Sequence, residues 1–178
     1  MGVSDDFSVY KNAFTHHQLC RAHPIRKLRD LTQSRKLSKE KLAICEVAYK
    51  GLRALHADLL EALEKGTAYA RGYLQQLHDR FDELCVPVQG EPQKLTTLRT
   101  SLAKNKAKYF TCVHHAGVPT TNNTAERMLR PLVIKRKLCF GSKTANGASI
   151  MEVLYSVVYS LIAYSRTHFF YNYQLLKA

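Results

Sequence analysis

The stretch TNNTAERMLRPLVIKRKLCFGSKTANGA, Thr121 to Ala148, decides how this chain is read. It places one carboxylate, Glu126, at the start of a helix and surrounds it with Arg127, Arg130, Lys135, Arg136, Lys137 and Lys143, with no further acid until Glu152. Cations of this density contact phosphates, and a carboxylate is a hard oxygen ligand, so the arrangement suits a metal-bound phosphodiester. With Asn122 and Asn123 it forms a natural contact zone for a DNA backbone. Spacing alone also supports a plainer reading. Asn123 is a good N-cap, Glu126 three residues later completes a capping box, and Arg130 adds an ion pair one turn on.

The rest of the composition points the same way. A net charge of +13 and a pI near 9.7 on 178 residues favour a polyanionic partner, because neutralised phosphates release condensed counterions. Nucleic acid is the leading candidate and an anionic membrane the competitor. No apolar run reaches the ~18 residues expected of a spanning helix and the start has no signal-like core, so a soluble, cytoplasmic protein is expected. The hydrophobic share of 46% is enough for a real core. Cys20, Cys45, Cys85, Cys112 and Cys139 are odd in number and scattered, which argues for free thiols in a reducing compartment.

Charge is segregated along the chain. Arg21 to Lys41 holds eight basic residues against Asp30 and Glu40, Pro92 to Ala125 holds no acid, and acids collect from Glu46 to Glu91. Val3, Phe7, Val9, Tyr10 and Phe14, then His16 to Cys20, suggest short strands, with a helix following Pro24. Between Ser38 and Lys108 the apolar spacing of Leu42, Cys45, Val47, Leu52, Leu55, Leu59, Leu60 and Leu63, with Gly66, Gly72, Pro87 and Pro92 as breaks, predicts helices near 38–65, 67–85 and 92–108. Ile150, Val153, Leu154, Val157, Val158, Leu161 and Ile162 recur at helical spacing, so that helix should lay an apolar face on a sheet or another helix. The aromatic group Phe169, Phe170, Tyr171 and Tyr173 is expected to pack on the same core or to form an exposed patch. Gly141, Ser142, Asn146 and Gly147 suit a turn and cap or a phosphate-receiving helix start equally well.

Thr121 to Ala148 resembles the C-terminal signature of insertion-sequence-sixty-six family transposases, roughly NNxAERxxRPxVxxRK followed by a GS turn. VSDDFSVYKN, Val3 to Asn12, is similar to the family segment in which a strand ends in Ser-Asp and a tyrosine soon follows. The resemblance implies an Asp-Asp-Glu transposase with a ribonuclease-H-like fold. Glu126 then matches the last carboxylate and Asp5 the second aspartate, both catalytic and both metal ligands. Asp6 is held in reserve, because neighbours in a strand face opposite ways. Mg2+ or Mn2+ is the expected cofactor and DNA, as transposon ends and target, the expected partner. Cys20 and His23 form a C-x-x-H element that family members share; a structural role is expected there rather than zinc, which needs four ligands.

The implied fold is mostly α with a small β remnant, a partial ribonuclease-H-like α/β fold interrupted by a helical insertion. Its expected parts are 1–34 with the second aspartate, 35–113 as the insertion, and 114–178 with the glutamate-bearing helix. Only four residues precede Asp5, so the first aspartate is expected upstream and the chain is expected to be inactive alone, self-associating or completed in trans. Two rival readings are a non-catalytic basic DNA-binding or transposase-interfering module and a helical protein-interaction domain.

Overall fold

Two short parallel strands and nine helices make up the described residues of the computed structural model, which are 1–6, 10 and 14–175, with side chains described through 162. Strand β1 (Gly2–Ser4) pairs with β2 (His17–Leu19) in the register Gly2 to His17, Val3 to Gln18 and Ser4 to Leu19. Hydrogen bonds from Gly2 N to His16 O (3.0 Å) and from Cys20 N to Ser4 O (2.8 Å) extend the pairing at both ends. Gly2 makes a close approach: a Cβ there would lie 2.5 Å from the Phe14 ring, which would have to shift. Phe7 and Val9, expected to join the strand region, lie outside the described residues.

Helix α1 (Ala22–Thr32) takes Pro24 in its first turn, where a missing N–H costs nothing. The long helix α2 (Lys39–Glu64) begins at Ser38, whose side chain accepts from Lys41 N, and stops before Gly66, which adopts φ +113°. Its buried stripe is Cys45, Ala48, Leu52, Leu55, Leu59 and Ala62. Val47 and Leu60, which the spacing had counted with that stripe, are exposed, because each sits about 100–200° round the helix from its neighbours in the core.

The expected helix over 67–85 is divided at Tyr73 into α3 (Thr67–Gly72) and α4 (Leu74–Cys85). The expected helix over 92–108 likewise becomes α5 (Gln93–Lys104) and α6 (Lys106–Tyr109), broken at Asn105, and α7 (Thr111–His114) follows. Leu28 of α1, Leu55 and Leu59 of α2, Leu77 and Phe81 of α4, Leu95 of α5 and Val113 of α7 close one core. Phe81 meets Phe110 edge-on at 5.4 Å between ring centroids. Inside this helical layer Glu91 and Arg99 form a buried ion pair at 2.9 Å, and Arg99 also donates to the Leu84 carbonyl.

The chain divides into two compact units, Met1–Asn122 and Asn123–Ala178. The first holds everything above. The second is a pair of helices, α8 (Asn123–Leu138), which carries Pro131 internally, and α9 (Ala145–Leu175). Phe140 (φ 54°) and Gly141 (φ 81°) turn the chain between them, with Gly141 N donating to Arg136 O at 2.8 Å. Thr144 then caps α9 by accepting from Gly147 N at 3.0 Å. The glycines and serine of this turn thus form a helix stop and start.

Within the second unit, among the described residues, the apolar stripe of α9 is not covered by α8. Val153 and Leu161 are more than 60% exposed, and Ile150, Leu154, Val157 and Val158 stand about half exposed. Met151, Tyr155 and Tyr159 instead face the groove shared with α8. Side chains of the terminal aromatic group lie outside the described ones. Contrary to the expectation from apolar runs, Ala145–Ile162 is long and apolar enough to cross a membrane by length and composition, with a mean hydropathy of 1.2 over 18 residues. A single such helix, carrying Glu152 within it, is weak support for a membrane span.

Candidate catalytic carboxylates and nucleic-acid interface

Asp5 stands directly after β1, at the carboxyl end of a parallel strand pair, and is half-buried. The Ser4 hydroxyl fixes the turn into it by donating to the Asp5 carbonyl at 2.8 Å. Ser4 Oγ also meets His17 Nε2 at 2.8 Å, a contact whose donor is set by the ring's tautomer. The buried Nδ1 of His17 has no hydrogen-bond partner among the described residues. Asp6 is exposed and accepts from Ser101 Oγ of α5 at 3.2 Å. The two aspartates thus meet different surroundings, as adjacent residues leaving a strand should.

Behind the strands lies a polar core that apolar periodicity could not reveal. Gln18 is fully buried; its amide nitrogen donates to the Leu19 and Tyr109 carbonyls and its oxygen accepts from Cys112 N at 2.8 Å. Arg21, 3% exposed, donates from Nε to Tyr109 O at 3.0 Å and lies over the Phe110 ring at 4.6 Å. Burial lowers its pKa to about 10, so it stays charged at neutral pH. Thr111 Oγ1 donates to His17 O at 2.9 Å. Segment 109–112 is bolted to β2 by these bonds, and the alternation of the strand gives no hint of it.

Cys20 and His23 each have a contact of their own. Cys20 is buried and its sulfur accepts from Asn122 N at 3.4 Å, while His23 lies against the Arg26 guanidinium. Arg21 N donates to Thr120 O at 3.0 Å. Asn122 is therefore anchored beside the carboxyl end of β2, the neighbour of the strand that ends in Asp5.

In the second unit Glu126 is in the first turn of α8, half-buried, as is Asn123. Arg127, Arg130, Lys135, Arg136, Lys137 and Lys143 are all exposed. Three of them occupy the last turn of α8, where cations complement the helix dipole. Among the described residues no group of three or more His, Cys, Asp or Glu side chains gathers as a metal site. Asp5 and Asp6 just after β1 are carboxylates, and Mg2+ uses one or two carboxylates and keeps its waters, so their chemistry fits a hard divalent ion.

Three histidines of the first unit are held neutral. Burial, aided by the Arg21 charge, lowers His56 to about 4, and burial first and Lys108 or Lys106 second lower His17 and His78. A group with a folded pKa below its unfolded 6.5 binds protons preferentially in the unfolded chain, so stability falls as pH drops from about 6.5 toward about 4. Urea midpoints should decrease steadily from pH 7 to pH 4.5, and His56→Phe should flatten that slope.

The sequence model of the family described as Transposase IS66 family matches residues 1–150. No curated protein and no solved structure matches the chain. The match runs from β1 through Asp5, the helical layer and Glu126 into the start of α9, and by that span the chain belongs to the IS66 family of transposases.

Proposed function

We propose that this chain carries the second aspartate and the final glutamate of an Asp-Asp-Glu transposase, in a ribonuclease-H-like catalytic fold interrupted by its helical layer, and that it acts in DNA transposition. The observation that carries this reading is Asp5 at the carboxyl end of a parallel strand, within a chain that matches a transposase family from β1 through Glu126.

On this reading Asp5 and Glu126 hold Mg2+ or Mn2+ between them. The bound ions would stabilise the attacking and leaving oxygens of an in-line displacement at phosphorus. The chain's own residues hold and orient. Ser4 and His17 fix the turn that presents Asp5. Arg127, Arg130, Lys135, Arg136, Lys137 and Lys143, with Asn122 and Asn123, would contact the DNA backbone and set its register, adding affinity that weakens with salt. The 35–113 portion serves as the insertion between the two carboxylate-bearing segments.

Iron-directed cleavage tests the shared site. With Fe2+ and ascorbate replacing Mg2+, the backbone should be cut at both Ser4–Asp6 and the first turn of α8, and excess Mg2+ should suppress both cuts together. Cuts at one segment alone would sink the proposal. DNA binding that persists with neither cut would favour the non-catalytic DNA-binding reading, which the charge of +13 already supports.

A further inference from the structure

The first unit contains a second cationic surface, built from segments distant in sequence. The end of α1, the loop into α2, the start of α2 and the start of α5 enclose a cleft of about 860 Å³. Lys27, Lys36, Lys41 and Lys94 line it, and Asp30 is the one acid among its lining residues. That acid is already engaged by the Arg29 guanidinium at 3.1 Å. The cleft therefore keeps a strong positive field, with low-dielectric walls from Leu31, Leu37 and Leu98.

A second hollow of about 400 Å³ continues along α5 and shares Gln93, Thr97 and Ser101 with the cleft. Thr96, Thr100, Lys104 and Asn105 form its wall, and Asp6 closes its far end. Hydroxyl, amide and ammonium groups in succession are the side chains that contact phosphate and sugar. The trough thus runs from four lysines to the residue beside Asp5, and Ser101 bonds Asp6 where it ends.

We infer that this trough along α5 is a second DNA-binding track, in which the helical layer holds the phosphate backbone of a duplex leading to the Asp5 end of β1. The inference rests on the DNA reading above and goes beyond it, because it assigns DNA contact to a layer otherwise explained as packing. Lysines at this spacing read backbone and not sequence, so the track adds affinity and register without base preference.

The test uses the full chain and a short fluorescent duplex, titrated at several salt concentrations. The triple variant Lys36→Ala/Lys41→Ala/Lys94→Ala should reduce the slope of log K against log salt by about 2–3, at ~0.9 for each phosphate no longer neutralised. A charge-matched control along α2 and at its C-cap, Lys50→Ala/Arg53→Ala/Lys65→Ala, should leave the slope within error. Thr97→Glu, an exposed position in the shared wall, should weaken binding without changing the thermal midpoint. Equal slopes for the two triple variants would overturn the track while leaving the DNA reading intact. A native chain that fails to bind duplex at low salt would overturn both. Loss of binding to phosphatidylserine vesicles, with an unchanged DNA slope, would assign the trough to a membrane surface and also overturn it.

Discussion

Asp5→Asn and Glu126→Gln should each weaken Mn2+ binding at least about 10–100-fold, since even the loss of a partner one shell removed from a metal costs that much. Free Mn2+ measured by electron paramagnetic resonance during titration of the full chain reads this directly. Both substitutions keep shape and remove charge, and both sites are partly exposed, so the thermal midpoint should barely move. On the proposal that both carboxylates serve one site, the double variant should bind at least as weakly as the weaker single one. Asp6→Asn should have a smaller effect, since Asp6 faces Ser101. Loss of one binding equivalent in each single variant, with the remaining equivalent at native affinity, would mean two separate sites, and the transposase chemistry would need another pair of ligands.

The second large effect is on stability. Glu91→Leu should destabilise the first unit by about 3–5 kcal/mol, the usual cost of leaving one member of a buried ion pair uncompensated. The side chains of Arg99 and Glu91 are 7% and 3% exposed, so water cannot take the place of the missing partner. Glu91 also accepts from the Thr96 hydroxyl at 2.7 Å, and Arg99 reaches the Leu84 carbonyl at the end of α4. The pair therefore joins α4, the loop after it and α5. Glu91→Leu combined with Arg99→Met should recover much of the loss, because the desolvation of two ions is then removed with their attraction. Urea denaturation of the two variants checks both statements, and a double variant no better than Glu91→Leu would place the cost in packing instead.

Local chemistry in the sequence carried the elements that local chemistry controls. Ser38 as a cap, Gly66 as a stop and the periodicity of the long helix were legible, because each depends on neighbouring residues; the strand end at Asp5 was expected from the resemblance, and Gly147, expected to precede the long helix, lies inside it. The break at Tyr73 follows Gly72, one of the marked breaks, although a single helix was expected over 67–85; the break at Asn105 carries no proline or glycine and was not legible. Periodicity marked the apolar face of α9 but could not name what lies on it. Gln18 and Arg21 were hidden for a related reason: a polar residue enters a core when carbonyls 88 and 91 positions away accept from it, and no local pattern encodes such a partner.

The bonds of Gln18, Arg21 and Thr111 have a further consequence for how this protein tolerates change. The chain departs from β2 at Cys20 and is fastened to the same strand again at Tyr109, Thr111 and Cys112, so the whole helical layer has a single root. Closing a longer or shorter excursion on a fixed root changes the entropy only logarithmically with length. Natural lineages can therefore lengthen, trim or exchange the layer while the strand register and the aspartate it presents stay put. A trough carried on such a graft can be retuned for new DNA without disturbing the chemistry at its foot.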